Sequence, residues 1–240
     1  MALPMMAAPT YTLTVPSTNK QVKYRPFLVK EEKALLIAQQ SEDIKVMVDS
    51  LKQVIQGCVL DKIDVEKLAT FDIEYIFTQI RAKSVGEVVE LLFPCDEDHG
   101  EDQDKAKLKI SIDLTNLQVE FPQNHTNKIP LFGDCGVVMR YPSFSTMTKM
   151  EALDTSDVDA IFDIITESID YIYDGDQLYY AEEQSKDELL QFLNNLTNEQ
   201  FTTIQKFFSS MPKIKKDVEY NCPICGKHHK VTLEGMQSFF

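Results

Sequence analysis

The sequence predicts an α+β fold: an N-terminal β-hairpin, a helical pair, a central region of short strands, a C-terminal helical bundle and a zinc-knuckle-like β-hairpin. Three observations lead to this prediction. The hydrophobic period changes along the chain from two-residue alternation to three-and-four spacing and back. Two capping-box patterns follow each other in the last third. A Cys-x-x-Cys turn lies close to the last residue.

The N-terminal elements follow from this periodicity. Residues 11–15 and 21–25 alternate apolar and polar side chains around turn residues 16–20, which predicts a β-hairpin. Two segments then have the spacing of amphipathic helices, the second ending near Gly86. Their apolar positions are Ile44, Met47, Val48, Leu51, Ile55 and Cys58, then Val65, Leu68, Ala69, Ile73, Ile76, Phe77 and Ile80.

The remaining elements are short strands and then helices. Strands are predicted at residues 88–93, 108–114, 117–121 and 137–139. One helical stripe comprises Val158, Ile161, Phe162, Ile165, Ile169 and Ile172. Capping boxes at residues 185–188 and 197–200 predict a helical hairpin that ends at Pro212. The expected division is a flexible arm (1–9), an α+β domain (10–145), a helical region (146–215) and a Cys-x-x-Cys knuckle with an apolar tail (216–240).

Composition narrows the classes of partner. The 240 residues carry a formal net charge of −14, which weighs against nucleic acid because phosphate binding requires a concentrated basic surface. No apolar run approaches the roughly 20 residues of a membrane span, and the N-terminus lacks the pattern of a signal peptide. Five cysteines, an odd number, suit a reducing cytosol. We therefore expect neither nucleic acid nor membrane as a partner.

The sharpest chemical signal is the knuckle. Cys222 and Cys225 place two thiols on one tight turn, and His228 or His229 could supply a third ligand from the following strand. We take Cys222, Cys225 and His228 as the candidate metal ligands and zinc as the candidate cofactor. A closed zinc site needs four ligands, so the fourth is the other histidine, a distant residue such as Cys95 or His99, or a residue of a neighbouring chain. The alternative is a hairpin that persists without metal.

A weak internal repeat links this turn to the middle of the chain. Residues 89–95 followed by 109–112 are similar to residues 218–222 followed by 230–233. Both segments predict a strand, a cysteine-bearing turn and a second strand. Either could form a knuckle hairpin, although only the C-terminal one has the complete Cys-x-x-Cys spacing. That hairpin is expected to present the apolar tail, residues 233–240, to a partner.

The sequence contains no pattern that indicates catalysis. A Gly-rich phosphate loop, a nucleophile elbow and an HExxH helix are all missing from the sequence. Only His99 and His125 lie outside the knuckle. We predict that the protein is not an enzyme. Two alternatives stay open: a zinc-ribbon regulator that binds host transcription or replication proteins, and a metal-dependent hydrolase that uses the knuckle.

Three stretches, residues 24–36, 71–86 and 222–240, together resemble the baseplate hub subunit family of T-even-type bacteriophages. The resemblance implies a non-enzymatic tail protein whose partners are other phage baseplate hub proteins. It implies action in the host cytoplasm during assembly, either as a chaperone or as a subunit that stays in the virion baseplate, and it implies no catalytic residues. The family-like pattern has a second Cys-x-x-Cys where this chain has Cys95-Asp96-Glu97-Asp98-His99.

Overall fold

A computed structural model describes residues 7–41, 43–143, 146 and 158–239. Most of the predicted N-terminal arm lies outside these residues. Within the described part, the chain forms six α-helices and eleven β-strands, which confirms the α+β prediction. The helices are α1 (Val29–Ser41), α2 (Ile44–Cys58), α3 (Thr70–Ser84), α4 (Val158–Glu167), α5 (Lys186–Asn194) and α6 (Asn198–Ser209). None of these helices is long and apolar enough to cross a membrane.

The strands form four small sheets with antiparallel pairing throughout. Two are hairpins, β1–β2 and β3–β4. The third has the order β11-β10-β5, and the fourth the order β6-β7-β8-β9. The strands are β1 (Tyr11–Thr14), β2 (Gln21–Tyr24), β3 (Val88–Phe93), β4 (Leu108–Asp113), β5 (Val119–Glu120), β6 (Lys128–Phe132), β7 (Cys135–Met139), β8 (Ile169–Asp174), β9 (Gln177–Tyr180), β10 (Lys213–Asn221) and β11 (His228–Glu234).

Helix α3 lies between two cores. Ile73, Ile76 and Ile80 pack with the β1–β2 hairpin and α2, while Ala82 faces the β3–β4 and β10–β11 hairpins. The side-chain amide of Gln79 on the same helix donates to the carbonyl of Leu114, 3.2 Å away. Buried side chains therefore lie on more than one side of α3, and they include the polar Asp72, Thr78 and Gln79. A third core fills the space between the four-stranded sheet and helices α4, α5 and α6.

The capping boxes form as predicted. Ser185 Oγ accepts from the amide of Glu188, whose carboxylate accepts in return from the Ser185 amide at 2.8 Å. Thr197 and Gln200 make the same reciprocal pair at the start of α6. Each box satisfies two backbone N–H groups that a helix start would otherwise leave without a partner. The predicted helical hairpin is therefore confirmed as α5 and α6.

The helical stripe predicted over residues 158–172 is wrong beyond Glu167. Ile169 and Ile172 lie in strand β8, and both are buried. An irregularity in the β7–β8 register, at Asp170, adds one residue to β8. The extra residue lets two side chains three positions apart face the same core, and this spacing imitates a helical period. The predicted strand at 117–121 is also shorter, because only Val119–Glu120 pair with β10.

The apolar C-terminal tail is not an exposed docking segment in the part that the structure describes. Phe239 is completely buried in the core between α3, the β3–β4 hairpin and the β10–β11 hairpin. Gly235, with a φ of 70°, turns the chain back after β11, and its amide donates to the carbonyl of Ile214 at 2.9 Å. The expectation that this tail reaches toward a partner is corrected for Phe239, which fills the protein's own core.

Asp72 connects the first hairpin to α3. Its carboxylate accepts hydrogen bonds from the amide and hydroxyl of Ser17 and from the amide of Ala69, the two amides lying 2.9 and 3.3 Å away. Burial raises the pKa of this carboxyl. Asp72→Ala removes the acceptor of the half-buried Ser17 groups and of the buried Ala69 amide, so we expect a loss of about 3 kcal/mol in the free energy of unfolding by urea titration. Asp43→Ala, which removes an exposed N-cap of α2, should cost about 1 kcal/mol. Equal losses would contradict the role given to Asp72.

Candidate metal centre

The cysteine-bearing turns of two hairpins meet in space. One is the loop that joins β3 to β4, and the other is the turn between β10 and β11. Cys95 and His99 come from the first turn, Cys222 and Cys225 from the second, and their ligand atoms all lie within 4.8 Å of one another. The internal repeat in the sequence thus corresponds to two hairpins whose turns share one site.

The spacing of these donors fits a tetrahedral metal ion. Zinc bonds of about 2.3 Å to sulfur and 2.0–2.1 Å to nitrogen place neighbouring ligand atoms about 3.5–3.8 Å apart. The sulfurs of Cys95 and Cys225 are 3.9 Å apart, and Cys222 Sγ lies 3.5 Å from His99 Nε2. Three thiols and one imidazole are a donor set that favours zinc over oxygen-binding metals.

The C-terminal turn is shaped by its backbone. The amide of Gly226 donates to the carbonyl of Cys222 at 3.0 Å, and Gly226 has a φ of 74°, a conformation that favours glycine. The amide of Ile224 points at Cys222 Sγ, 3.4 Å away. The first turn repeats this last contact, because the amide of Glu97 lies 3.5 Å from Cys95 Sγ. In both turns, an N–H group two residues after the cysteine stabilises the charge of a thiolate.

Gln103 holds the first turn together. Its side-chain oxygen accepts from the amide of His99 at 2.8 Å, and its side-chain nitrogen lies 3.3 Å from the carbonyl oxygen of Cys95. One side chain therefore fixes the backbone at both candidate ligands of this turn. No local sequence pattern marks a glutamine that closes an irregular loop, so the role of Gln103 is visible only in the structure.

The two hairpins also contact each other through residues next to the cluster. The hydroxyl of Tyr220 in β10 donates to the carbonyl of Pro94 at 2.7 Å, and its ring packs on Phe93, with centroids 5.4 Å apart. Lys227 of the C-terminal turn forms ion pairs with Asp96 and Glu97 of the first turn. The hydrogen bond from Lys227 lowers the pKa of the Asp96 carboxyl.

The structure brings together two of the three predicted ligands. Cys222 and Cys225 lie in the cluster, whereas His228 is exposed and its Nδ1 contacts Asn221 Oδ1 at 3.0 Å. His99, one of the alternatives for the fourth ligand, occupies the histidine position of the cluster instead. Side chains alternate along β11, so His228 points to solvent while His229 points inward.

His229 lies outside the four-donor cluster and forms a second group of potential metal ligands with Cys95 and Asp96. Its ring stacks on Tyr220 with centroids 4.9 Å apart, its Nε2 is 3.3 Å from Cys95 Sγ, and its Nδ1 is 3.6 Å from a carboxylate oxygen of Asp96. A histidine held in this way supports the sulfur of a ligand, which is the role of residues around many metal sites.

The cysteines differ in acidity. Burial would raise the pKa of the Cys222 thiol, but hydrogen bonds from the amides of Cys225 and Ile224 lower it to about 6. Burial, together with the neighbouring thiols, raises the pKa of Cys95 to about 11. Cys222 is therefore the natural first thiolate of the site, and a bound cation would favour loss of the remaining thiol protons. None of the five cysteines forms a disulfide.

His125, the remaining histidine, belongs to the core near α6. Its two ring nitrogens contact Ser210 Oγ at 2.9 Å and the hydroxyl of Tyr141 at 3.0 Å, and the ring stacks on Phe207. Burial lowers its pKa. Both nitrogens have partners within the protein, so His125 is a satisfied structural histidine.

Comparison with protein families identifies the class of protein. The family model described as T4 bacteriophage base plate protein matches residues 8–240. The chain belongs to this family. Neither the curated proteins nor the solved structures gave a match. The T4 bacteriophage base plate protein family comprises phage tail proteins, so this chain is a structural or assembly protein of a phage baseplate.

The three stretches that resemble the baseplate hub subunit family occupy well-packed parts of the fold. The first contains Arg25, whose guanidinium pairs with the buried carboxylate of Glu31 at 2.9 Å and also contacts the carbonyl of Gly57 at 2.7 Å. The second is the central helix α3. The third contains Cys222 and Cys225, two of the four clustered donors, and the buried Phe239. The resemblance thus rests on residues that connect the parts of the fold.

Proposed function

We propose that this baseplate protein is a hub subunit or hub assembly protein that acts through protein–protein contacts and has no enzymatic activity. The family match over nearly the whole chain carries the baseplate part of the proposal. The hub part rests on the resemblance of residues 24–36, 71–86 and 222–240 to the hub subunit family. The acidic surface, with its net charge of −14, suits association with basic surfaces of other proteins. The partners are other hub proteins of the phage, and the protein acts in the host cytoplasm before or while it joins the tail.

The cysteine cluster supports a structural role for a bound zinc ion. Cys95, His99, Cys222 and Cys225 are four donors, which close a tetrahedral site and leave no position for a reacting water. Two of these donors come from the loop between β3 and β4 and two from the turn between β10 and β11, so the site lies between hairpins that are far apart in sequence. Zinc, when bound, would supply the cross-link between them. The ligand set therefore replaces His228, the histidine first expected, by His99.

Native mass spectrometry of co-expressed proteins tests the proposed function. The chain is produced together with the other baseplate proteins of its phage, and the purified assemblies are weighed intact. We expect a defined complex with at least one hub protein. A chain that stays alone, or that binds only baseplate proteins other than those of the hub, would overturn the hub proposal. Peptide mapping of purified virions then distinguishes a subunit, which is retained, from an assembly chaperone, which is absent.

A further inference from the structure

Strand β9 leaves one edge of the four-stranded sheet open. Within the described residues it pairs only with β8, and all four of its residues are exposed. Leu178, Tyr179 and Tyr180 keep 47%, 41% and 42% of their surface accessible. In an antiparallel ladder, alternate residues of an edge strand turn their backbone N–H and C=O groups away from the sheet. The open edge therefore combines free hydrogen-bonding groups with large apolar and aromatic side chains.

Among the residues that the structure describes, no further strand pairs with the outer edge of β9. Natural proteins shield such edges with lysine, proline, bulges or a covering element. The strand Gln-Leu-Tyr-Tyr has neither lysine nor proline, and its pairing with β8 is regular. The opposite edge of the same sheet differs: α6 packs against β6, and the Gln200 side chain reaches the carbonyl of Leu131 at 3.5 Å. The two edges of this sheet therefore differ: β6 is covered by α6, whereas β9 is accessible for pairing with another strand.

Charge decides what kind of strand fits this edge. Asp174 and Asp176 precede β9, and Glu182 and Glu183 follow it. All four carboxylates are exposed, and none forms an ion pair with another described residue. Antiparallel pairing of β9 with β9 of a second copy would bring the aspartates of one chain against the glutamates of the other. Like charges directly opposite each other destabilise a strand pair. The edge thus disfavours self-association and suits a strand with cations at its ends.

We infer that β9 is the docking site for an extended segment of another baseplate protein, which adds a strand to the sheet and carries Lys or Arg beside the paired residues. This inference rests on the proposed function. Backbone hydrogen bonds supply the pairing, and the side chains of Leu178 and Tyr180 on one face and Tyr179 on the other add apolar contact. The four carboxylates orient the incoming segment and exclude a second copy of this chain.

Hydrogen exchange on the co-expressed complex locates the docking edge. The exchange of peptides covering residues 177–180 is compared between the isolated chain and the purified complex with the other baseplate proteins. We expect exchange at this strand to slow at least tenfold in the complex. Glu182→Lys/Glu183→Lys should weaken the complex about tenfold at low salt, with no change in the unfolding midpoint of the isolated chain. Glu32→Lys/Asp49→Lys, which changes the net charge equally through exposed carboxylates of α1 and α2, should leave binding unchanged.

The possible results separate the two proposals. A complex that forms without slower exchange at residues 177–180, or that tolerates the Glu182→Lys/Glu183→Lys variant, overturns the docking inference and leaves the proposed function intact. Absence of any complex overturns both. Slower exchange that grows with the concentration of the isolated chain would identify a second copy as the occupant, and this also contradicts the inference.

Discussion

Replacing Cys222 with serine will abolish stoichiometric zinc binding and lower the midpoint of thermal unfolding by about 10 °C. The physical reason is linkage, because a ligand that binds only the folded state stabilises it by about 4 kcal/mol at a thousandfold excess over its Kd. For a chain of this size, 1 kcal/mol corresponds to about 2–4 °C. Zinc content is measured by elemental mass spectrometry on protein purified without chelator, and unfolding by calorimetry.

Histidine variants provide the matched controls for this experiment. His99→Gln should lose zinc as Cys222→Ser does, since His99 Nε2 lies among the clustered donors. His228→Gln should keep full zinc content because His228 contacts Asn221 and not the cluster. His229→Gln should also keep the stoichiometry while weakening affinity, since its ring supports Cys95. Loss of zinc in His228→Gln with retention in His99→Gln would restore the knuckle as the sequence first predicted it.

Phe239→Ala will destabilise the protein by about 3–5 kcal/mol, the usual cost of removing a fully buried phenylalanine ring. The ring is inaccessible to solvent and packs among residues of α3 and of two hairpins, so its removal leaves a cavity between three elements. Urea unfolding monitored by circular dichroism measures the change. Gln237→Ala, at an exposed position of the same tail, should change stability by less than about 0.5 kcal/mol.

A small effect of Phe239→Ala would reverse the account of the tail. If the variant unfolds at the same urea concentration as the unmodified chain, Phe239 does not belong to the core. The tail would then be free to reach a partner, as its apolar sequence alone suggested.

Local sequence patterns predicted the elements whose signals lie within a few residues. Alternation around a turn-rich segment gave the β1–β2 hairpin, and the reciprocal Ser185–Glu188 and Thr197–Gln200 pairs marked the starts of α5 and α6. These signals work because the stabilising contacts are themselves local. The prediction of a helix from hydrophobic spacing was wrong at Ile169 and Ile172, because one extra residue in strand β8 gives these side chains a helix-like spacing.

The candidate metal centre could not be predicted from local sequence patterns alone. Cys222 and His99 are 123 residues apart in sequence, and only the packing of two hairpins brings them within 3.5 Å. The Cys-x-x-Cys spacing identified Cys222 and Cys225, and the Cys95-x3-His99 spacing was visible as one option among several. The choice between His228 and His229 depends on strand parity, which reverses with a one-residue shift in register. The structure fixes that register through the pair Tyr220–His229.

The burial of Phe239 is another feature that local sequence patterns could not predict. An apolar residue near the end of a chain has no sequence signal that separates a core anchor from a docking tail. The distinction comes from the turn at Gly235, which directs the last residues back against α3, and from the gap between two hairpins that the ring fills.

X-ray absorption at the zinc edge tests most directly the claim that one metal ion joins the two hairpins. The measurement uses the full chain, purified with one equivalent of zinc and compared with the Cys95→Ser variant. We expect about three sulfur neighbours near 2.3 Å and one nitrogen near 2.0–2.1 Å, with the sulfur count falling to about two in Cys95→Ser. A shell of two sulfurs and two nitrogens that is unchanged by Cys95→Ser would contradict this claim, because zinc would then be held by the C-terminal hairpin alone.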